Sequence, residues 1–284
     1  PASLVNTAYF YHVTCIMADV AGILNKKDDE HHLCTLAETI RKNFNAAFYN
    51  AETHHYGEGK QGADVFALAF GLVPEGKREK VFAALLGHLE KVNYHFDTGI
   101  LATPLLLQVL TENGRADLAY KLMNQRDFPS YGYLADKENN TLWETWNGDG
   151  NDEGCGHCHP MFGSVVAWFY HSLAGIKPDQ SDPGMKHFYI EPMIVPDLKY
   201  CRTTYDSQYG KISSDWKIDE NGNLNLKIEV PANTSATVII PDWGGRTVLE
   251  SGKPVSEVSN IVIDKVDSSR MEVSSGVYHF VILK

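Results

Sequence analysis

The apolar positions of this chain change period part-way along it, so two architectures have to share one sequence. From residue 3 to about 175 they recur at helical spacing. Leu33, Leu36, Ile40, Phe44 and Phe48 form one stripe, and Val81, Phe82, Leu85, Leu86 and Leu89 form another. After IKPDQSDPG at 176–184 the runs are short and rich in β-branched residues: LNLKIEV (224–230), ATVIIP (236–241), RMEVSSG (270–276) and VYHFVIL (277–283). The pattern predicts a helical domain over 1–178 and an antiparallel β-sandwich over 179–284. Segments 3–24 and 61–72 are apolar nearly all round, and each is followed by a helix with a polar face. Inner and outer helices should therefore alternate, roughly seven of them, as helical hairpins.

Composition narrows the partner. The formal net charge is −11, from 36 acidic and 25 basic side chains, which argues against a nucleic-acid surface or an anionic membrane. A neutral ligand fits better, and 14 Tyr, 12 Phe and 5 Trp are compatible with sugar-stacking surfaces as well as with a large core. No apolar run is long enough to span a membrane, and the amino terminus has no export-signal pattern. The chain opens without Met and already in a helical pattern, so the expectation is a start inside a longer gene product. Any export signal then lies outside it, with the periplasm or the exterior favoured over the cytoplasm.

Residues 155–159 read CGHCH, the attachment pattern of c-type haem. A lone short motif is weak, and zinc held by Cys155 and Cys158 lacks a second ligand pair at comparable spacing. The expectation is no metal and no cofactor. Cys15 and Cys34 fall within helical patterns and read as small core residues; Cys155 and Cys158 are close enough to pair if the protein is exported. His31-His32 and His54-His55 read as solvated pairs at helix ends.

The stretch from 125 to 160 is long for a connection in a compact domain, and such loops tend to carry function. Within it Glu144 stands between Trp143 and Trp146, and His159 precedes a helix led by Pro160. A carboxylate flanked by indoles suits a sugar site: the rings pack on a pyranose while the carboxylate handles a water or a hydroxyl. The alternative is structural, with both tryptophans as core plugs and Glu144 capping backbone.

Taken together, LVNTAYFYHV, YGEGKQGADVFALAFGLVPEGKREKVFAALL, DTGILATPLLLQVLTENGRADLAYKLM, TLWETW, HPMFGSVVAWFYHSLAGI and YGKISSDWK resemble, in order, the carboxy-terminal part of bacterial α-L-rhamnosidases, glycoside hydrolase family 78. The resemblance implies the second half of an (α/α)6 barrel followed by a β-sandwich, and inverting hydrolysis of terminal α-L-rhamnosides. It puts Glu144 on the general base and His159 on a histidine lining the sugar pocket, which makes CGHCH a coincidence of loop composition. Trp143, Trp146 and Tyr133 become candidate sugar platforms. Asp97 matches a loop at the barrel mouth and could bind a rhamnose hydroxyl, or cap a helix beginning near Ile100. Gln61 opens an inner helix and could face the pocket.

The general acid of that family lies upstream of anything in this sequence, and seven helices cannot close a barrel of twelve. The expectation is thus a fragment without rhamnosidase activity of its own, whose apolar inner helices are exposed unless self-association or rearrangement covers them. The implied partner is a rhamnose-containing oligosaccharide, polysaccharide or glycoside, with no nucleic acid and no membrane. Two rivals remain at this point: another six-hairpin enzyme such as a uronyl hydrolase or phosphorylase, and a non-catalytic carbohydrate-binding fragment.

Overall fold

The structure, a computed structural model, describes residues 1–137, 141–147, 156–240 and 245–284. Cys155, and with it any pairing to Cys158, lies outside the described residues. The chain divides into two units, Pro1–Val165 and Val166–Lys284.

The first unit is helical: α1 (Ala2–Ile23), α2 (Lys27–Phe48), α3 (Gln61–Ala69), α4 (Arg78–Lys91), α5 (Thr103–Glu112), α6 (Ala116–Met123), α7 (Tyr131–Asp136) and α8 (Pro160–Gly163). Helices α1, α3 and α5 pack side by side as an inner row, and α2, α4 and α6 lie against them in turn. The sequence stripes account for this. Ile40 and Phe44 of α2 and Val81, Leu85 and Leu89 of α4 are buried, while the opposite faces are polar. In the inner row α3 is buried from Ala63 to Leu68, whereas α1 exposes Phe10, Val13, Ile16, Met17, Val20 and Ile23 along one face.

Some local expectations fail. Cys34 is exposed on α2, a residue out of step with the buried Ala37–Ile40–Phe44 stripe. His54 and His55 are not solvated: His54 meets the Tyr49 hydroxyl at 2.8 Å, and His55 Nδ1 meets the Asp64 carboxylate at 2.6 Å. Asp64 is fully buried and also accepts from the Tyr56 N–H, and burial raises its pKa above the ordinary carboxylate value despite these bonds.

In the second unit the segment expected to continue the last helix is instead a short α9 (Val166–Trp168) and a π-helical turn, Phe169–Leu173, closed by the Ala174 N–H on the Phe169 carbonyl. Among the described residues nine strands follow: β1 (Ile176–Pro178), β2 (His187–Ile190), β3 (Tyr200–Ser207), β4 (Gly210–Ile218), β5 (Leu224–Ile239), β6 (Val248–Glu250), β7 (Lys253–Pro254), β8 (Ile261–Ile263) and β9 (Arg270–Ile282). Pairing is antiparallel except between β2 and β5. The four sequence runs from 224 onward are two long strands. β5 continues through Pro231 and Asn233, and its register against β9 shifts between Val230 and Ser235. On the near side of that shift the β5–β9 pair carries β4 and β6; on the far side it carries β2 and β8. One core lies between the resulting leaves, with Trp216, Leu226, Ile228 and Phe280 from one and Phe188, Val238, Met271 and Val273 from the other.

Candidate active site

The residues of the TLWETW loop are positioned by the segment on which it returns. Glu144 N–H donates to the Gly156 carbonyl (2.9 Å) and His159 N–H to the Leu142 carbonyl (2.8 Å), so 142–144 runs beside 156–159. The Gly156 N–H donates back to Glu144 Oε2 at 2.9 Å. A methyl group placed on Gly156 would lie 3.3 Å from Glu144 Oε2 and 3.7 Å from His159 Cδ2, so the carboxylate and the imidazole flank this glycine. His159 is the N-cap of α8, its Nδ1 accepting from the Met161 N–H at 3.3 Å. Trp143 is buried and stacked on His157 with ring centres 4.0 Å apart.

Trp146 faces the other way. Its Nε1–H donates to the Thr98 carbonyl (2.7 Å), and its ring stacks on Phe96 and contacts Tyr131 and Phe162. Tyr131 is in turn held by its hydroxyl on the Phe162 carbonyl, and burial raises that hydroxyl's pKa above the ordinary value.

Thr98 belongs to a segment that lines a cleft of about 320 Å³, walled by the amino-terminal ends of α1 and α3 and by residues 97–102 before α5. Asp97, Glu58 and Lys60 supply its charged groups. The carboxylate of Asp97 is only one-fifth exposed: Oδ1 accepts from the Gln61 N–H (3.1 Å) and Oδ2 lies 2.7 Å from His88 Nε2. Gln61 is fully buried, its side-chain amide bonded to the Asp97 N–H and the His95 carbonyl. Asp97 therefore holds the start of α3, not a helix near Ile100; α5 begins at Thr103 after Ala102. Gln61 serves as a latch inside the same network rather than as a pocket group.

The structure thus brings Glu144, Trp143 and His159 together and ties Trp146 to the segment carrying Asp97. Tyr133 stands apart, edge-on to Phe128 (5.3 Å) with the Lys137 ammonium 4.8 Å above its ring. Sequence reasoning passed over Gly156, whose N–H holds the Glu144 carboxylate; nothing in a glycine-rich run distinguishes the one that meets a side chain. It also passed over Thr98, which takes part through its carbonyl and leaves no residue-type signal. Among the described residues no three His, Cys, Asp or Glu side chains are grouped as a metal site.

The model of the bacterial alpha-L-rhamnosidase 6 hairpin glycosidase domain matches residues 1–173 of this chain. The chain belongs to the bacterial α-L-rhamnosidase family. The model of the C-terminal domain of these rhamnosidases matches residues 175–253. An α-L-rhamnosidase of Streptomyces avermitilis is 36% identical over 247 residues, 85% of this chain and 23% of that protein. One from Formosa agariphila is 30% identical over 286 residues, 98% of this chain and 31% of its own length. The crystal structure of the Streptomyces avermitilis α-L-rhamnosidase complexed with L-rhamnose superposes with a TM-score of 0.86 at 32% identity, over 99% of this chain and 27% of that one. This chain spans 23% to 31% of the length of these relatives, and its helices with a mostly antiparallel sheet are those of the family fold.

Proposed function

We propose that this chain is the part of an inverting α-L-rhamnosidase that supplies the general base, Glu144, and a share of the sugar pocket, acting on terminal non-reducing α-L-rhamnose of glycosides, oligosaccharides or polysaccharides. The arrangement around Glu144 carries the proposal. Among the described residues one carboxylate oxygen accepts one backbone N–H, which leaves lone pairs on both oxygens for a water. His159 stands on the other side of Gly156 as a hydrogen-bonding group for a sugar hydroxyl. Trp146 fastens the loop to the rim of the cleft that Asp97 lines, so base and cleft are held in one framework. The domain limits that go with this reading are 1–178 for the catalytic part and 179–284 for the sandwich.

An inverting enzyme keeps its base about 6.5–9.5 Å from its acid so that a water fits between the base and the anomeric carbon. The acid is expected from residues outside this chain, and the chain by itself should not turn over an aryl α-L-rhamnoside. In the longest natural form of the enzyme, Glu144→Gln should lower kcat by roughly 10²–10⁴ with KM little changed. Added azide should restore part of the rate. Proton NMR should show β-L-rhamnose as the first product; an α-anomer appearing first would make Glu144 a nucleophile and end the reading.

A further inference from the structure

The unit Val166–Lys284 carries a second concave feature, a groove of about 580 Å³ on the outer face of β3, β4 and β5. Strand register sets its lining. Arg202 lies opposite Asp215 and Asp215 opposite Lys227; two residues away, Tyr200 lies opposite Lys217 and Lys217 opposite Asn225. The alternation that sends Trp216, Leu226 and Ile228 into the core turns this set outward. With Lys199, the groove presents four cations and one carboxylate on a chain of net charge −11.

The charges are mostly unanswered. Arg202 Nε reaches Asp215 Oδ2 at 3.3 Å, while Asp215 Oδ1 is buried with no hydrogen-bond partner among the described residues. Nearby, Lys211 and Glu229 neutralise each other at 2.8 Å, and Asp219 is taken up by Asn223 and Asn225. Among the described residues Lys199, Lys217 and Lys227 make no ion pair. Their field is felt next door. His279, opposite Lys227 on β9, has its pKa lowered first by burial and then by Lys227 and Lys217, against an opposing pull from Glu250. At the end of the groove Tyr200 is 66% exposed, an uncommon position for an aromatic ring with no ring partner among the described residues.

We propose that this face binds an acidic polysaccharide, with Lys217, Lys227 and Arg202 pairing with its carboxylates and Tyr200 packing on a sugar ring. Like charges gathered on one face repel each other, and an anionic polymer removes that repulsion at several points at once. A nucleic acid fits less well, because the net negative charge of the chain repels a polymer carrying one charge per about 3.4 Å of each strand more strongly than a polyuronate, which carries at most one carboxylate per sugar. The choice of a saccharide over other carboxylate polymers rests on the rhamnosidase reading; the anion-binding face does not.

Native affinity electrophoresis of the whole chain tests this, in gels containing polygalacturonate, neutral dextran or single-stranded DNA. Polygalacturonate should retard the chain and dextran should not. Lys217→Glu with Lys227→Glu should weaken binding roughly tenfold or more, and the effect should fade as salt is raised. Tyr200→Ala, which leaves the charge unchanged, should also weaken it, and all three positions are exposed, so an unchanged melting profile certifies the fold of each variant. Equal retardation by dextran, indifference to the lysine reversals, a preference for DNA, or no retardation would each overturn the proposal. Failure of the catalytic reading is told apart by its own assay: loss of the gel shift leaves aryl-rhamnoside turnover by the longer enzyme intact, and absence of Glu144-dependent turnover leaves the gel shift intact.

Discussion

Replacing Trp146 separates two roles an indole beside Glu144 can have, a sugar platform or a structural anchor. In the structure its Nε1–H meets the carbonyl of Thr98, a residue only 3% exposed, and its ring contacts Phe96, Tyr131 and Phe162. Trp146→Phe keeps a ring over Phe96 but leaves a buried carbonyl without its donor, a loss of about 1–3 kcal/mol. Trp146→Ala also removes the three ring contacts and opens a cavity, and should cost about 3–5 kcal/mol. Urea unfolding followed by far-UV circular dichroism, which is dominated by the helical unit, reads both values. The phenylalanine variant should fall between the unmodified chain and the alanine variant. A ring presented to solvent as a platform would give losses within about 0.5 kcal/mol for either change. That result would refute the anchoring argument and the claim that Trp146 fixes the Glu144 loop to the cleft.

Asp97→Ala should destabilise the helical unit by about 2–3 kcal/mol, because the Gln61 N–H and His88 lose a charged acceptor, with Asp97→Asn restoring part of it; thermal melts of the two variants check the order. Gly156→Ala puts a methyl group 3.3 Å from Glu144 Oε2, so in the longest natural form of the enzyme it should lower kcat while leaving the melting temperature of the enzyme nearly unchanged; a normal kcat would show that the carboxylate does not depend on its present seat. The exposed apolar face of α1 should bind anilinonaphthalene sulfonate in native buffer, and Val13→Lys with Met17→Lys should remove most of the fluorescence enhancement.

Periodicity carried most of the fold, since it records which side of an element faces the core. Ile40 and Phe44 of the α2 stripe and Val81, Leu85 and Leu89 of the α4 stripe are buried, while Leu33, Leu36, Phe48, Phe82 and Leu86 are half-buried at their margins, and the alternation from Leu224 to Val230 is that of one face of β5. Where elements end was less legible. Pro231 and Asn233 look like a turn in sequence, yet β5 runs through them because pairing with β9 resumes after a register shift, and such long-range pairing outweighs local turn preference. The run from Pro160 to Gly175 reads as one helix, and its division among α8, α9 and a π turn has no signal at the level of residue type. In the candidate site, Glu144 and His159 could be named because side-chain chemistry marks them. The partners of Asp97 are Gln61 and His88, 36 and 9 residues away, and the partner of Trp146 is a backbone carbonyl 48 residues away; neither distance is encoded in a local pattern.

The two leaves of the second unit are built on the same pair of strands, β5 and β9, and this limits how that unit can come apart. Freeing β8 or β6 removes only a few hydrogen bonds at the margin, but separating β9 from β5 takes away the interior partner of both leaves together. Amide protons of Leu226, Ile228, Val238 and Phe280 should therefore exchange in a single slow class, through one opening event, while those of β7 and β8 exchange earlier by fraying. The same geometry decides where the chain tolerates added residues. An insertion in the turn at 219–223 lengthens one connection, whereas one residue added between Val230 and Ser235 would shift the register of β5 against β2 and β9 and send Ala236 and Val238 out of the core.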